Sequence, residues 1–173
     1  MNNFKKTSHA NRGMNLEAEI IKSNLRYDSL GLAVINKIAT PVQVKRNKKT
    51  REIDGAYFKE KSTVDFVGIS KGKHIAFDAK ETENKTSFPL NNIKKEQYEH
   101  MKKVEAQKGI SFLLIYFIAH DQKYIITIDQ LTYWMDQAGI GRKSIPYEFF
   151  KENCKQCYPG LNVAINYLPV LEI

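Results

Sequence analysis

Apolar residues at Leu16, Ile20, Ile21 and Leu25 recur at helical spacing and share one face. Asn15 before them is a capping residue type, and Glu17 and Glu19 suit the positive end of a helix, so a helix is predicted from Asn15. After Gly31 the run LAVINKIA reads as a strand closed by Thr40-Pro41. VDFVGI and HIAFDAK read as two more strands, joined by Ser70-Lys71-Gly72-Lys73, with Gly72 taking the positive φ of a tight turn. A polar loop follows at 81–90, and Asn91 or Asn92 is predicted to cap a helix that Gly109 ends. SFLLIYFIA is apolar throughout, as for a strand covered on both faces, and KYIITI is a further strand. Asp129 is expected to cap a short helix through Trp134, and the last third carries weaker periodicity. Together these elements predict a mixed α/β domain with a central sheet.

At 173 residues the chain is long enough for one domain with a real core. Residues 1–13, basic at Lys5, Lys6 and Arg12, read as a flexible arm ahead of a single domain over 14–173. No apolar run reaches the roughly 20 residues that span a bilayer, and the basic N-terminus has no apolar segment behind it. A cytoplasmic protein is expected. The net charge of +8 points to nucleic acid as partner, ahead of plain solubility or an anionic membrane surface. Five of the seven residues from Lys45 to Arg51 are basic: Lys45, Arg46, Lys48, Lys49 and Arg51. Between two strands such a run projects as a hairpin or arm able to follow a phosphate backbone. Cys154 and Cys157 form the single CxxC, without the partners of a zinc site, and read as incidental reduced thiols.

The charged residues inside the apolar runs carry the chemistry. Alternation along HIAFDAK sends Ile75, Phe77 and Ala79 to one face and Ala76, Asp78 and Lys80 to the other. Thr63 and Asp65 share a face in the preceding strand, and pairing across the short turn brings Asp65 toward Asp78. Two carboxylates repel unless a positive group lies between them. Lys80 alone would make a structural ion cluster; a divalent cation with oxygen ligands is the other solution. Gln97 falls on the buried stripe of its helix, between Ile93 and Met101, and needs either a backbone partner or a metal.

An Asp in one strand followed by (Asp/Glu)-x-Lys in the next resembles the PD-(D/E)xK nuclease superfamily. NRGMNLE, TPVQV, AYFKEKSTVDF, FDAKETENKTSFPL, QYEHM and GRKSI together resemble the RecU-type Holliday junction resolvases over Arg12 to Ile145. The resemblance implies a restriction-endonuclease-like fold, a central mixed sheet flanked by helices with a protruding basic stalk over 42–58. It implies a metal site on Thr63, Asp65, Asp78 and Gln97, with Lys80 stabilising the transition state. The family pattern has Glu at the position of Asp78, one methylene longer, so the metal is expected to sit slightly differently. Also implied are a Mg²⁺ cofactor that Mn²⁺ can replace, a homodimer cutting opposed strands of a four-way junction, and contact with a strand-exchange recombinase. Arg12 and the five cations of the 45–51 run are the expected DNA contacts. Glu17 is read as a helix-end charge or an outer carboxylate, His74 as an exposed strand-end residue. Tyr57, Phe58 and Phe88 are candidates for stacking on unpaired bases or for core packing. The rival functions are a sequence- or damage-specific endonuclease on the same scaffold and a non-catalytic junction-binding protein.

Overall fold

A computed structural model describes residues 9–39, 42–47, 50–58 and 64–172. The chain runs α1 (His9–Ser29), β1 (Val34–Lys37), β2 (Val42–Arg46), β3 (Ile53–Phe58), β4 (Phe66–Ser70) and β5 (Lys73–Thr82). It continues through β6 (Ser87–Pro89), α2 (Lys95–Ala106), β7 (Ile110–Phe117) and β8 (Gln122–Thr127). Then come α3 (Ile128–Gly139), β9 (Ser144–Pro146), α4 (Tyr147–Asn153) and β10 (Lys155–Cys157). The expected architecture is present: a central mixed sheet, ordered β1-β4-β5-β7-β8-β10, lies between helical layers. Only β5 and β7 in it pair in parallel, with Ile75 opposite Ile110 and Thr82 opposite Phe117.

Alternation along β5 divides the core in two. Ile75 and Phe77 pack with Leu16, Ile20 and Tyr27 of α1. Ala76 lies in the opposite cluster with Ile93, Tyr98 and Met101 around α2, and Trp134 of α3. On the α1 side Phe77 stacks between Phe66 and Phe112, at centroid distances of 4.9 and 4.6 Å. These three rings tie together the adjacent strands β4, β5 and β7. The C-terminal segment closes this layer: Tyr167 packs edge-on against Tyr27 and donates its hydroxyl to Asn24 Oδ1.

The turn between β4 and β5 is the tight one expected, but both Lys71 (φ 47°) and Gly72 (φ 77°) are left-handed. That suits the twist of a two-residue hairpin. Gly68 has a separate reason to be glycine. A Cβ there would lie 2.2 Å from the Val34 carbonyl oxygen, so β1 pairs closely only because the side chain is missing.

Several predicted boundaries move. The first helix begins at His9, so residues 9–13 are helix rather than arm, and Asn15 is interior. Good helix formers such as Ala10 and Arg12 extend it past the residue that looked like a cap. Glu17 is therefore not in the first turn, and it pairs with Lys37 at the end of β1. Leu90–Asn92 form a 3₁₀ turn, and α2 starts at Lys95 behind Lys94 without a side-chain cap. At its far end Lys108, not Gly109, takes positive φ. Gly109 is needed instead for packing, since a Cβ would lie 2.6 Å from Val104 Cγ1. The cap of α3 is Thr127, which with Gln130 forms a reciprocal capping box, so Asp129 is first-turn rather than cap.

Of the basic run, Lys45 and Arg46 lie in β2, which pairs with β3 in a two-stranded ribbon separate from the main sheet, and Arg51 precedes β3. Lys45, Arg46 and Arg51 are exposed there. Lys48, Lys49 and Thr63 lie outside the described residues, as do the side chains of Arg12, Tyr57 and Phe58.

Candidate metal centre on the central sheet

The site grows out of the β4–β5 hairpin. Phe66 pairs with Phe77, so the next rung outward sets Asp65 across from Asp78. The Asp65 carbonyl accepts the Ile38 N–H at 2.8 Å, which ties this end of β4 to the chain leaving β1. Asp78 follows the parity of Ala76, on the face covered by α2, and its neighbour in β7 is Leu113. That strand is apolar on both sides, and Asp78 is 0% exposed.

Lys80, one alternation further, holds its Nζ 3.0 Å from Asp78 Oδ1. The contact is an ion pair without hydrogen-bond alignment: neither Asp78 oxygen has a hydrogen-bond partner. Burial pushes the Asp78 carboxyl up to about 8. The neighbouring Asp65 carboxylate pushes the same way, against the pull of Lys80. One lysine therefore does not neutralise this pair of acids.

Gln97 is 4% exposed on the stripe of α2 that also buries Tyr98 and Met101, and its Oε1 has no hydrogen-bond donor. Asp78 and Gln97 thus bury three acceptor oxygens, all lacking donors, on one side of the sheet. Buried acceptors without partners cost about 1–3 kcal/mol each. A cation held between them would relieve these oxygens, and an all-oxygen set suits a hard divalent ion. Two carboxylates and an amide fit such a group. Among the described residues no cluster of three or more His, Cys, Asp or Glu side chains competes for it.

The other candidates fall outside this arrangement. His74 is exposed at the start of β5. Phe88 is fully buried against Phe150 and belongs to the core. Cys154 and Cys157 are free thiols pushed up to about 12 by burial, the state of inert reduced cysteines. Sequence reading missed Lys37, whose pairing with Glu17 spans 20 residues and leaves no local signal. It also missed the pairing of β6 with β9, which brings Lys143 against the loop leaving β5.

A family model described as Recombination protein U matches residues 11–173. The chain belongs to this family. It is 47% identical over 168 residues to the Holliday junction resolvase RecU of Oceanobacillus iheyensis, covering 94% of this chain and 86% of that relative. It is 43% identical over 170 residues to the protein of the same name from Bacillus subtilis, covering 95% of this chain and 82% of the relative. Among solved structures it is similar to Hjc, a Holliday junction resolvase of Archaeoglobus fulgidus. That likeness has a TM-score of 0.43 at 9% identity, covering 82% of this chain and 91% of the other. The matched span includes Asp65, Asp78, Lys80 and Gln97. No helix among the described residues is long and apolar enough to cross a membrane.

Proposed function

We propose that the chain is a divalent-metal-dependent endonuclease that resolves four-way DNA junctions during recombination and repair. The observation that carries this reading is the set of donorless oxygens on Asp78 and Gln97 beside Lys80, in a member of the Recombination protein U family. Asp65, Asp78 and Gln97, with Thr63 adjoining, would hold Mg²⁺, and Mn²⁺ could replace it. When bound, the ion supplies Lewis-acid polarisation of the scissile phosphate and a lower pKa for the attacking water. The protein's own groups do the rest. Lys80 pulls the Asp78 carboxyl down against its burial and would place a positive charge where the phosphate gains negative charge. The buried Leu113 and Ile115, beside Asp78 and Lys80 on β7, would limit screening of that charge.

A homodimer would present two such sites with the twofold symmetry of the junction, leaving 5′-phosphate and 3′-hydroxyl ends. The β2–β3 ribbon, with Lys45, Arg46, Lys48, Lys49 and Arg51, would enter the junction as a stalk, and Arg12 would contact an arm. Such an activity would act in the cytoplasm and would meet a strand-exchange recombinase on the same intermediates.

Cleavage of a mobile-core four-way junction against a linear duplex of the same sequence, across Mg²⁺ and Mn²⁺ concentrations, is the test. Metal-dependent symmetric nicking of the junction alone is expected. Equal cutting of the duplex would identify a general endonuclease, and binding without cutting under either metal would identify a junction-binding protein.

A further inference from the structure

A cavity of about 540 Å³ opens between the loop leaving β5 and the turn joining α3 to β9. It is lined by Asn84, Ser87, Asn91, Arg142 and Lys143 on its polar side and by Met135 on its apolar side. Met135 packs against the α2–α3 cluster, so the cavity lies on the sheet face that carries Asp78 and Lys80. It also lies at the same end of the strand. Asn84 follows Lys80 by four residues, so their Cα atoms are at most about 14 Å apart. That span corresponds to about four nucleotides of a DNA strand.

The cavity wall is built, not loose. Asn84 Oδ1 accepts the Thr86 N–H at 3.1 Å, and Asn84 Nδ2 donates to Ser87 Oγ at 3.2 Å. The Thr86 carbonyl accepts the Tyr147 N–H at 2.8 Å, and the Leu90 N–H donates to the Lys143 carbonyl at 3.0 Å. His120 Nε2 lies 2.8 Å from the Lys85 carbonyl, and its ring stacks on Tyr147 at 4.0 Å. Arg142 is held over the Trp134 ring at 5.2 Å. Lys85, Arg142 and Lys143 are exposed, and none of them forms an ion pair among the described residues. Arg142 and Lys143 line the cavity and Lys85 follows its lining residue Asn84 in the chain; exposed cations interleaved with Ser and Asn are the chemistry that receives phosphodiesters independently of base sequence.

We propose that this cavity is a second DNA contact, which seats the sugar–phosphate backbone of the duplex arm running away from the scissile phosphate. Resting on the endonuclease reading, it adds a docking point separate from both the metal centre and the basic ribbon. Arg142 and Lys143 each displace counterions there.

The test is the salt dependence of DNA binding by the full chain, measured in Ca²⁺ on a four-way junction and on a 20-base-pair duplex. Arg142→Ala with Lys143→Ala is expected to make the log–log slope shallower by about 2 and to weaken binding about tenfold at 0.15 M salt. Lys85→Ala with Lys143→Ala carries the same expectation and leaves the packing on Trp134 intact. Lys73→Ala with Lys108→Ala removes equal charge at the other end of β5 and should leave the slope unchanged. A wild-type slope in both cavity variants, or an equal drop in the Lys73/Lys108 control, would overturn the proposal. Failure of the wild type to cut junctions is a different result: it removes the endonuclease reading, while the slope comparison on duplex still decides the cavity.

Discussion

Replacing Asp78 with Asn should make the metal-free protein more stable while abolishing its chemistry. The Asp78 carboxyl is fully buried and raised from an ordinary 3.8 to about 8. Between those values the folded state keeps a proton that the unfolded chain releases, so wild-type stability falls as pH rises from about 4 to about 8. Each tenfold change in proton affinity is worth about 1.4 kcal/mol. Part of that gain is offset in the variant, because the Lys80 ion pair is lost. Asp78→Asn is therefore expected to be about 2–4 kcal/mol more stable than wild type at pH 8, with the gap closing near pH 4. Urea melts in chelator at pH 4.5, 6 and 8 measure this directly. Adding Mg²⁺ should then raise the wild-type melting temperature and leave the variant unmoved, with junction cleavage lost. Parallel stability curves for the two proteins from pH 4 to 8 would refute a strained, donorless carboxylate, and with it the main reason for placing a cation there.

Lys80→Ala removes the group that pulls the Asp78 carboxyl down, so the rising limb of the pH–rate profile should move to higher pH. Its maximal rate should fall about 10²–10³-fold; an unmoved limb would separate the two residues functionally. Gln97→Leu replaces a donorless buried amide with an apolar group of similar size and should leave the metal-free fold equally stable or about 1 kcal/mol more so. Calorimetric titration of that variant should show Mg²⁺ affinity reduced about tenfold, and unchanged affinity would remove Gln97 from the ligand set. Gly68→Ala drives a methyl into the Val34 carbonyl and should destabilise the chain by about 1–3 kcal/mol. Hydrogen exchange should then speed up first in β1, the edge strand that Gly68 admits.

The candidate site was legible in sequence because its parts obey local periods. Strand alternation paired Asp78 with Lys80 and set both apart from Phe77; helical spacing placed Gln97 on the buried stripe with Met101, although Ile93 lies ahead of the helix. The hairpin turn at Lys71-Gly72 fixed the pairing that faces Asp65 to Asp78. Local signals failed where a residue's role is decided by a distant partner. Asn91 and Asn92 have good capping chemistry, yet the Leu90 N–H is claimed by Lys143, and the chain passes through a 3₁₀ turn instead. Asn15 lost its cap because the helix continued upstream. The final segment shows little periodicity, since Ile165, Tyr167 and Leu168 enter the core from a stretch without strand or α-helix, with Tyr167 touching Tyr27, Phe77 and Phe112.

The stacked rings of Phe66, Phe77 and Phe112 have a consequence for how errors in folding are rejected. Sliding β5 by a single residue against its neighbours would turn Phe77 into the α2 layer and expel Asp78 into the α1 layer. Such a slipped chain would leave a gap between two phenyl rings spaced for a third, and would bury a carboxylate among the aromatic and aliphatic side chains of the α1 layer. Three residues that never touch substrate thus act as a proofreading device, making the misaligned molecule unstable before it can exist as an inactive one.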